Sequence, residues 1–526
     1  MSGPLDDAAA SRAVPDATPV IVGVGQHCPK DPDLSNAGGP VDLAAAAARL
    51  ALADSGRPEA LAAALDTVVF FRLFADTGFG PSPQGRSTKP PRSLAQRLGL
   101  DPAHAVYSEI GGNQPQRMVN DCAEAVARGE ARAVLLAGGE ALRTAAAAVR
   151  AGLELDWSED PPGTVVDLGP GGELVGDFEL AHGVGMPTCS YALFENALRG
   201  HRGRHVAEHR QALGRLWARC NEIAPGNPLA AAASPKSADE LVTATPDNRM
   251  IGFPYTRLLN ANERVDQAAA VILTSAGTAR ALGIDPSRWI YLRGCGDAHD
   301  RLKTVEHVDL YSSPALALCA RTALAQAGLT LGEVDFFDLY SCFPSAVEIA
   351  CDALGLAEDD PRPLTVTGGL SFFGGPGNAY VLHSIAETVD WLRHGRGRYG
   401  LVTGNGGLLS KQSVGIYSTL PGTGPWQRES ISAAQAALDA VPAPRIELAP
   451  QGAARIETCT VLCDKGVPAR GVIVGRLDAD DARFVANTPG DRPDILQWLM
   501  EDEPLGAAGT VRSAGGRNTF LPARFT

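Results

Sequence analysis

Apolar positions recur along the chain in two alternating rhythms: short unbroken runs of β-branched and aromatic residues, and alanine-rich stretches with apolar residues at helical spacing. The first run, residues 18–26 (TPVIVGVGQ), predicts a buried strand, and residues 42–55 predict a helix closed by Gly56. A strand over 65–71 and a short helix over 93–98, with Ser93 as N-cap, follow. Next comes a strand over 105–110, the turn Gly111-Gly112-Asn113-Gln114-Pro115, and a helix over 116–128 capped by Gly129. A strand over 133–137 then runs into Gly138-Gly139-Glu140. The plan returns further along, with helices over 314–327, 344–354 and 386–394 and strands over 334–339 and 399–403. The second of these strands enters Gly404-Asn405-Gly406-Gly407, and the likeness of AVLLAGGE to GLVTGNGG is the trace of an internal duplication. Two similar α/β halves packed with helices between them fit this pattern.

Residues 146–262 behave differently, being rich in Pro, Gly and charge, with one long helical stretch over 191–220. They read as an inserted loop domain of the kind that shapes a binding mouth. A strand over 265–275 brings the chain back to the first half. A linker with a short helix over 431–439 leads to alternating short strands from Arg445 onward, read as a separate β-domain, a barrel of about five strands. The expected domain plan is therefore 18–145 completed by 263–284, a loop domain at 146–262, a second half at 285–420, a linker at 421–444 and a β-domain at 445–526.

At 526 residues the chain exceeds one core. A net charge of -14 argues against nucleic acid or an anionic membrane as main partner. Ten cysteines stand singly with no CxxC pair, so neither a zinc ribbon nor a thioredoxin-type motif is present and no metal-ligand cluster is legible. No apolar run reaches a membrane span, and the polar residues before about Ala17 read as an unpacked arm; a reduced, cytoplasmic protein is expected.

Candidate chemistry gathers between residues 335 and 407. In DFFDLYSCFPSAVEIA a strand breaks at Tyr340-Ser341-Cys342-Phe343 and resumes as a helix, with Pro344 suited to the first turn. Tyr340, Ser341 and Cys342 thus meet a helix N-terminus, where N–H groups and the helix dipole favour negative charge. The glycine-rich pieces TGGLSFFGGPGN and GNGG let backbone approach a ligand closely.

Taken in order, VIVGVGQ, AVLLAGGE, NRMIGFPYTRLLNANERVDQAAAVILTS, DLYSCFPSAVEIA, TGGLSFFGGPGN and GNGG resemble the thiolase superfamily. The likeness covers essentially the whole chain and is close to thiolase-like proteins of actinobacteria that carry an extra C-terminal domain and are often labelled acetyl-CoA acetyltransferases. It implies a duplicated five-layered α/β/α/β/α fold, a loop domain over a CoA-thioester pocket, and coenzyme A or acyl-CoA as substrate or ligand with no covalently bound cofactor. The nucleophilic cysteine of that family falls near Gly112, its activating histidine at Gly375 and its second cysteine near Thr403-Gly404, so none of the three is kept. Thiolysis through an acyl-enzyme needs a thiolate and a second base, and the family's own mechanism is therefore not expected.

Tyr340 is the first catalytic candidate, as a phenol whose pKa the helix dipole lowers; certain thiolase-related aldolases carry a tyrosine at this motif. Cys342 as a helix-terminal nucleophile and Tyr255 as a second phenol complete the catalytic candidates. Gly112, Asn113, Gly375, Asn378, Asn405 and Gly406 are candidates for oxyanion or substrate binding. The basic segment 200–210 offers cations for CoA phosphates, or simply a solvated helix face. Three readings stay open. The chain is an acyl-CoA enzyme without the cysteine pair (an acyltransferase or a carbon–carbon lyase), a non-catalytic CoA-ester-binding protein, or a scaffold whose β-domain recruits a partner enzyme. Monomer and homodimer are both open.

Overall fold

The computed structural model describes residues 14–32, 34–35, 37–78 and 83–526. In chain order the strands are β1 (Pro19–His27), β2 (Thr67–Phe70), β3 (His104–Tyr107), β4 (Ala133–Ala141), β5 (Val166–Asp167), β6 (Met250–Gly252), β7 (Tyr255–Thr256), β8 (Asp266–Ser275), β9 (Ile290–His299), β10 (Phe336–Asp338), β11 (Tyr399–Gly406) and β12 (Lys411–Ser418). Five more follow: β13 (Gly452–Asp464), β14 (Val467–Leu477), β15 (Arg483–Asn487), β16 (Ala508–Ala514) and β17 (Arg517–Pro522). The longer helices are α1 (Pro40–Asp54), α2 (Pro90–Leu98), α3 (Gln114–Ala127), α4 (Leu142–Ala151), α5 (Pro187–His201), α6 (Val206–Ile223), α7 (Pro314–Ala327), α8 (Pro344–Leu354), α9 (Tyr380–Arg393), α10 (Ser432–Asp439) and α11 (Pro493–Glu501).

Duplication is explicit in the pairing. The order β2-β4-β8-β1 repeats as β10-β11-β12-β9, with one parallel and two antiparallel contacts in each copy, and β1 meets β9 to join them. Helices α3 and α9 pack between the two copies, while α1 and α7 cover the outer faces, so the five-layered α/β architecture stands. Each outer helix sits almost on its strand: a Cβ at Gly23 would overlap the Ala51 carbonyl, and one at Gly294 the Ala323 carbonyl. This close approach is why glycine interrupts otherwise apolar strands at matching places.

Several expectations shift. The helix predicted to begin at Ser93 begins at Pro90, because two prolines fill its first turn, and Ser93 is buried inside it. The long helix expected over 191–220 is two helices, α5 and α6, separated by a reversal over residues 202–205. Val14 is buried and the exposed Asp16 pairs with Arg280, so the chain is held to the fold from residue 14; the rest of the expected arm lies outside the described residues.

At the C-terminus, β13-β14-β15-β17-β16 closes back on β13, a five-stranded ring with α11 between β15 and β16 in the chain. Neither α11 nor β17 was expected from the sequence pattern. The ring does not stand apart either. Leu462 of β13 pairs with Gly252 of β6, Val472, Val474 and Val485 enter the main core, and Thr458 and Thr460 hydroxyls donate to Leu193 and Phe253 carbonyls. Arg483 pins the contact: it is fully buried, donates to the carbonyl oxygens of Val305 and His307, and pairs with Glu457 at 2.6 Å. Arg483→Leu is expected to destabilise the chain by about 3 kcal/mol, because the Val305 and His307 carbonyls lose their donor while Glu457 keeps only Arg476, and to open the β-domain to limited proteolysis. A melting curve and digestion pattern matching wild type would refute that role.

Candidate functional site

Strand β10 ends at a buried carboxylate. Asp338 accepts from the Ser384 hydroxyl (2.6 Å), the Thr365 hydroxyl (3.0 Å) and the Val366 N–H (2.9 Å), tying the 364–369 loop and α9 to the strand end. The chain then passes through Leu339–Phe343 into α8, with Pro344 at its first position. The Tyr340 N–H donates to Thr403 Oγ1 at 2.9 Å, so the residue standing where the resemblance puts a second cysteine anchors this turn. The Tyr340 ring packs edge-on against Tyr380, centroids 5.7 Å apart.

A cavity of about 290 Å³ opens here. Gly112, Gly375, Asn378, Asn405, Tyr340 and Cys342 line it; Asn113, Gly406 and Tyr255 do not. Its central feature is the approach of Tyr340 to Gly112: a Cβ on Gly112 would overlap the phenol oxygen and stand 2.6 Å from Cζ. The phenol thus fills the place a side chain at 112 would take. Among the described residues neither the Tyr340 hydroxyl nor the Gly112 N–H, just ahead of α3, has a hydrogen-bond acceptor. Both residues line the cavity.

The electrostatics reverse two expectations. Burial raises the Tyr340 phenol well above its usual range, with Cys342 and Glu263 adding to the effect, so it is a neutral proton donor rather than an acidified phenol. Burial likewise pushes the Cys342 thiol up to about 12, and the Tyr191 hydroxyl lies against its sulfur. Helix α8 starts only at Pro344, so its dipole does not outweigh desolvation at either group.

The asparagines are struts. Asn378 Oδ1 accepts from Gly111 N at 3.0 Å while its Nδ2 donates to the Arg72 carbonyl at 2.7 Å. Asn405 Nδ2 donates to Tyr191 Oη at 2.9 Å, leaving its buried Oδ1, an acceptor, without a partner among the described residues. Asn113 packs behind β11, its Oδ1 against Gly406. Tyr255 is fully buried and donates to Glu195 Oε2 at 2.7 Å.

Two carboxyls, one lining this cavity and one beside it, escaped the sequence analysis. Glu263 is the one ionisable carboxyl lining this cavity among the described residues; the residue is exposed, and the protein around its carboxyl withdraws enough water to raise its pKa. Glu140, next to it, is buried, accepts from Phe74 N at 2.8 Å, and is pushed up to about 8 by burial, with Glu263 adding to the shift. The only sequence signal was the placement of Glu140 directly after a glycine pair at a strand's carboxyl end.

The cations of 200–210 serve the fold. Arg202 pairs with Glu348 (2.6 Å), Asp352 and Glu358; Arg204 reaches Glu348 (3.4 Å); and His209 Nε2 lies 2.6 Å from Glu195 Oε1. Glu195, His209 and Glu348 present ligand atoms within 4.8 Å of one another, a grouping from three helices that no local spacing could reveal. Hydrogen bonds already occupy it: Tyr255 and His209 contact Glu195, and Arg202 contacts Glu348.

The fold and this cavity can now be set beside known proteins. A model described as "Thiolase-like protein type 1 additional C-terminal domain" matches residues 434–516. The crystal structure of a monomeric SCP2-thiolase like protein type 1 from Mycobacterium smegmatis is 38% identical and superposes with a TM-score of 0.82, covering 97% of this chain and 100% of that one. An acetyl-CoA acetyltransferase of Methanothermobacter thermautotrophicus is 27% identical over 316 residues, 54% of this chain and 78% of that protein. The structure of an Ltp2-ChsH2(DUF35) aldolase, 20% identical with a TM-score of 0.56 over 77% of this chain and 98% of that one, shares the fold. The class is thiolase-like, and within it the chain belongs to the type 1 thiolase-like proteins, which carry an additional C-terminal domain.

Glu140 has a measurable consequence. Its folded pKa is raised, so the folded state holds a proton that the unfolded state has released. The stability from burying the neutral acid is full below the ordinary carboxyl range and is lost as pH rises through about 8. Glu140→Gln, which keeps the acceptor for Phe74, should flatten the fall in melting temperature between pH 6 and pH 9; an unchanged slope would show that another group sets it.

Proposed function

We propose that the inner cavity takes the thioester end of an acyl-CoA and breaks a carbon–carbon bond in a β-hydroxyacyl group by acid–base chemistry, without an acyl-enzyme. The observation that carries this reading is the Tyr340 hydroxyl standing where a side chain at Gly112 would be. With that place filled by a neutral phenol and the Cys342 thiol held protonated, no thiolate is ready to accept an acyl group. What remains is a pair of donors and a carboxylate, the set a retro-aldol cleavage requires.

In this mechanism the thioester oxygen accepts from the Tyr340 hydroxyl and the Gly112 N–H. Glu263, as carboxylate, removes the proton of the β-hydroxyl; the Cα–Cβ bond breaks and its electron pair passes to the thioester as an enolate held by the two donors. The new carbonyl compound leaves. The proton on Glu263 then goes to Cα, giving the shortened acyl-CoA, so atoms and charge balance with no added CoA. The raised pKa of Glu263 makes it a stronger base than an exposed carboxylate, and turnover should fall as pH drops through its folded pKa.

Tyr340→Phe should lower turnover of a β-hydroxyacyl-CoA by a factor on the order of a hundred, the scale of one lost oxyanion donor, while ester binding persists. Mass spectrometry of the products, run without free CoA, measures it. Cleavage that requires free CoA would restore thiolysis. Retained ester with no cleavage would leave a CoA-ester-binding protein.

The reading extends to assembly. The outer edge of β3 is covered over Val106 and Tyr107 by the two-residue β5, and Arg72 pairs with Asp167, so a second copy would have to displace β5 to pair with β3 along its length. A monomer is expected by light scattering after size exclusion; a stable dimer would show that another face associates.

A further inference from the structure

A second, larger space adjoins the inner cavity. It is a cleft of about 880 Å³ at the carboxyl ends of β2 and β4, and it shares the wall formed by Phe74, Met186, Pro187 and Glu263 with the inner cavity. Ligand sites commonly span about 300–1,000 Å³. The inner cavity, near the lower limit, holds a thioester and a few carbons, whereas the cleft is near the upper.

The lining selects the ligand. Its cations are Arg86 and Arg97, and both are taken: Arg86 by Asp76, Arg97 by Asp42 at 2.6 Å and Glu159 at 3.0 Å. Against them stand Asp42, Glu140, Asp156, Glu159 and Glu263, a surplus of carboxyls even with Glu140 protonated. Phosphates would be repelled from such a wall. The uncharged surface comes from Leu73, Phe74, Leu142, Ala145, Trp157 and Met186. Trp157 is fixed as a rigid side, its ring against Gly39 and its Nε1 donating to the Ala37 carbonyl at 3.0 Å. Met186 is 57% exposed, a large flexible apolar side chain left open at the junction of the two spaces.

We propose that this cleft receives the distal part of a long or bulky apolar acyl group, passing by Met186 from the inner cavity, and that it does not seat the nucleotide of CoA. The proposal rests on the acyl-CoA reading above. It makes the substrate a medium- or long-chain acyl thioester, with acetyl- and butyryl-CoA poor ligands.

The test is calorimetric affinity for butyryl-, octanoyl- and dodecanoyl-CoA in wild type and in an Ala145→Leu and Ala145→Trp series that fills the cleft by steps. Each buried methylene is worth roughly a factor of four. Wild type should therefore bind dodecanoyl-CoA at least tenfold more tightly than butyryl-CoA, and that ratio should shrink with Leu and approach one with Trp. A wild-type ratio near one, or a ratio untouched by both substitutions, overturns the proposal. If no CoA ester binds at all, the function proposed above fails, and the cleft is then read with dodecanol. Dodecanol should shift an emission component that Trp157→Phe removes, and lose that effect in Ala145→Trp; no shift in wild type overturns the cleft as an apolar site.

Discussion

The contact between the Tyr340 phenol and the bare backbone of Gly112 decides what the rest of the site can be. A side chain at 112 and the phenol exclude one another, since even a Cβ there would overlap the hydroxyl. Everything around the pair holds that phenol in place. Asp338 ties the strand end to α9 and the 364–369 loop, Thr403 takes the Tyr340 N–H, and Tyr380 bounds the ring. Two α/β copies must close on each other for this to happen, because Gly112 precedes a helix of the first copy and Tyr340 follows a strand of the second.

The loop region holds the opposite wall through buried polar chemistry. Tyr191 stacks on Phe343 with centroids 4.6 Å apart, and one turn further along α5 Glu195 meets Tyr255 and His209. Arg202 and Arg204, at the reversal between α5 and α6, bind carboxylates on and just after α8. Charge that looks available for phosphates in the sequence is thereby spent on joining α5 and α6 to α8. The C-terminal ring adds a second clamp, since its β13 lies along α5 and Arg483 reaches the main-chain carbonyls after β9.

Desolvation accounts for the direction of every shift that matters at the cavity. Tyr340, Cys342, Glu140 and Glu263 all favour their neutral forms, and desolvation is the first cause in each. The site is thus built for proton donation and for a carboxylate of raised basicity, the opposite of a thiolate centre stabilised by a helix dipole.

The sequence by itself determined the layered α/β architecture, its duplication and a C-terminal region of short β-strands. These follow from local periodicity and from glycines placed where a helix lies on a strand, information carried within a few residues. The resemblance, in turn, set Gly112, Gly375 and Thr403-Gly404 against the places where that family keeps two cysteines and a histidine. Boundaries set by less regular signals were not legible: the start of α2, the break between α5 and α6, and α11 and β17. Only the tertiary structure decided that Tyr340 reaches Gly112, that Tyr255 faces Glu195 instead of the cavity, that Asn405 offers an acceptor, and that Glu140 and Glu263 line one cleft. Those facts depend on contacts between residues more than a hundred positions apart and on how much water each group loses, neither of which a linear pattern encodes.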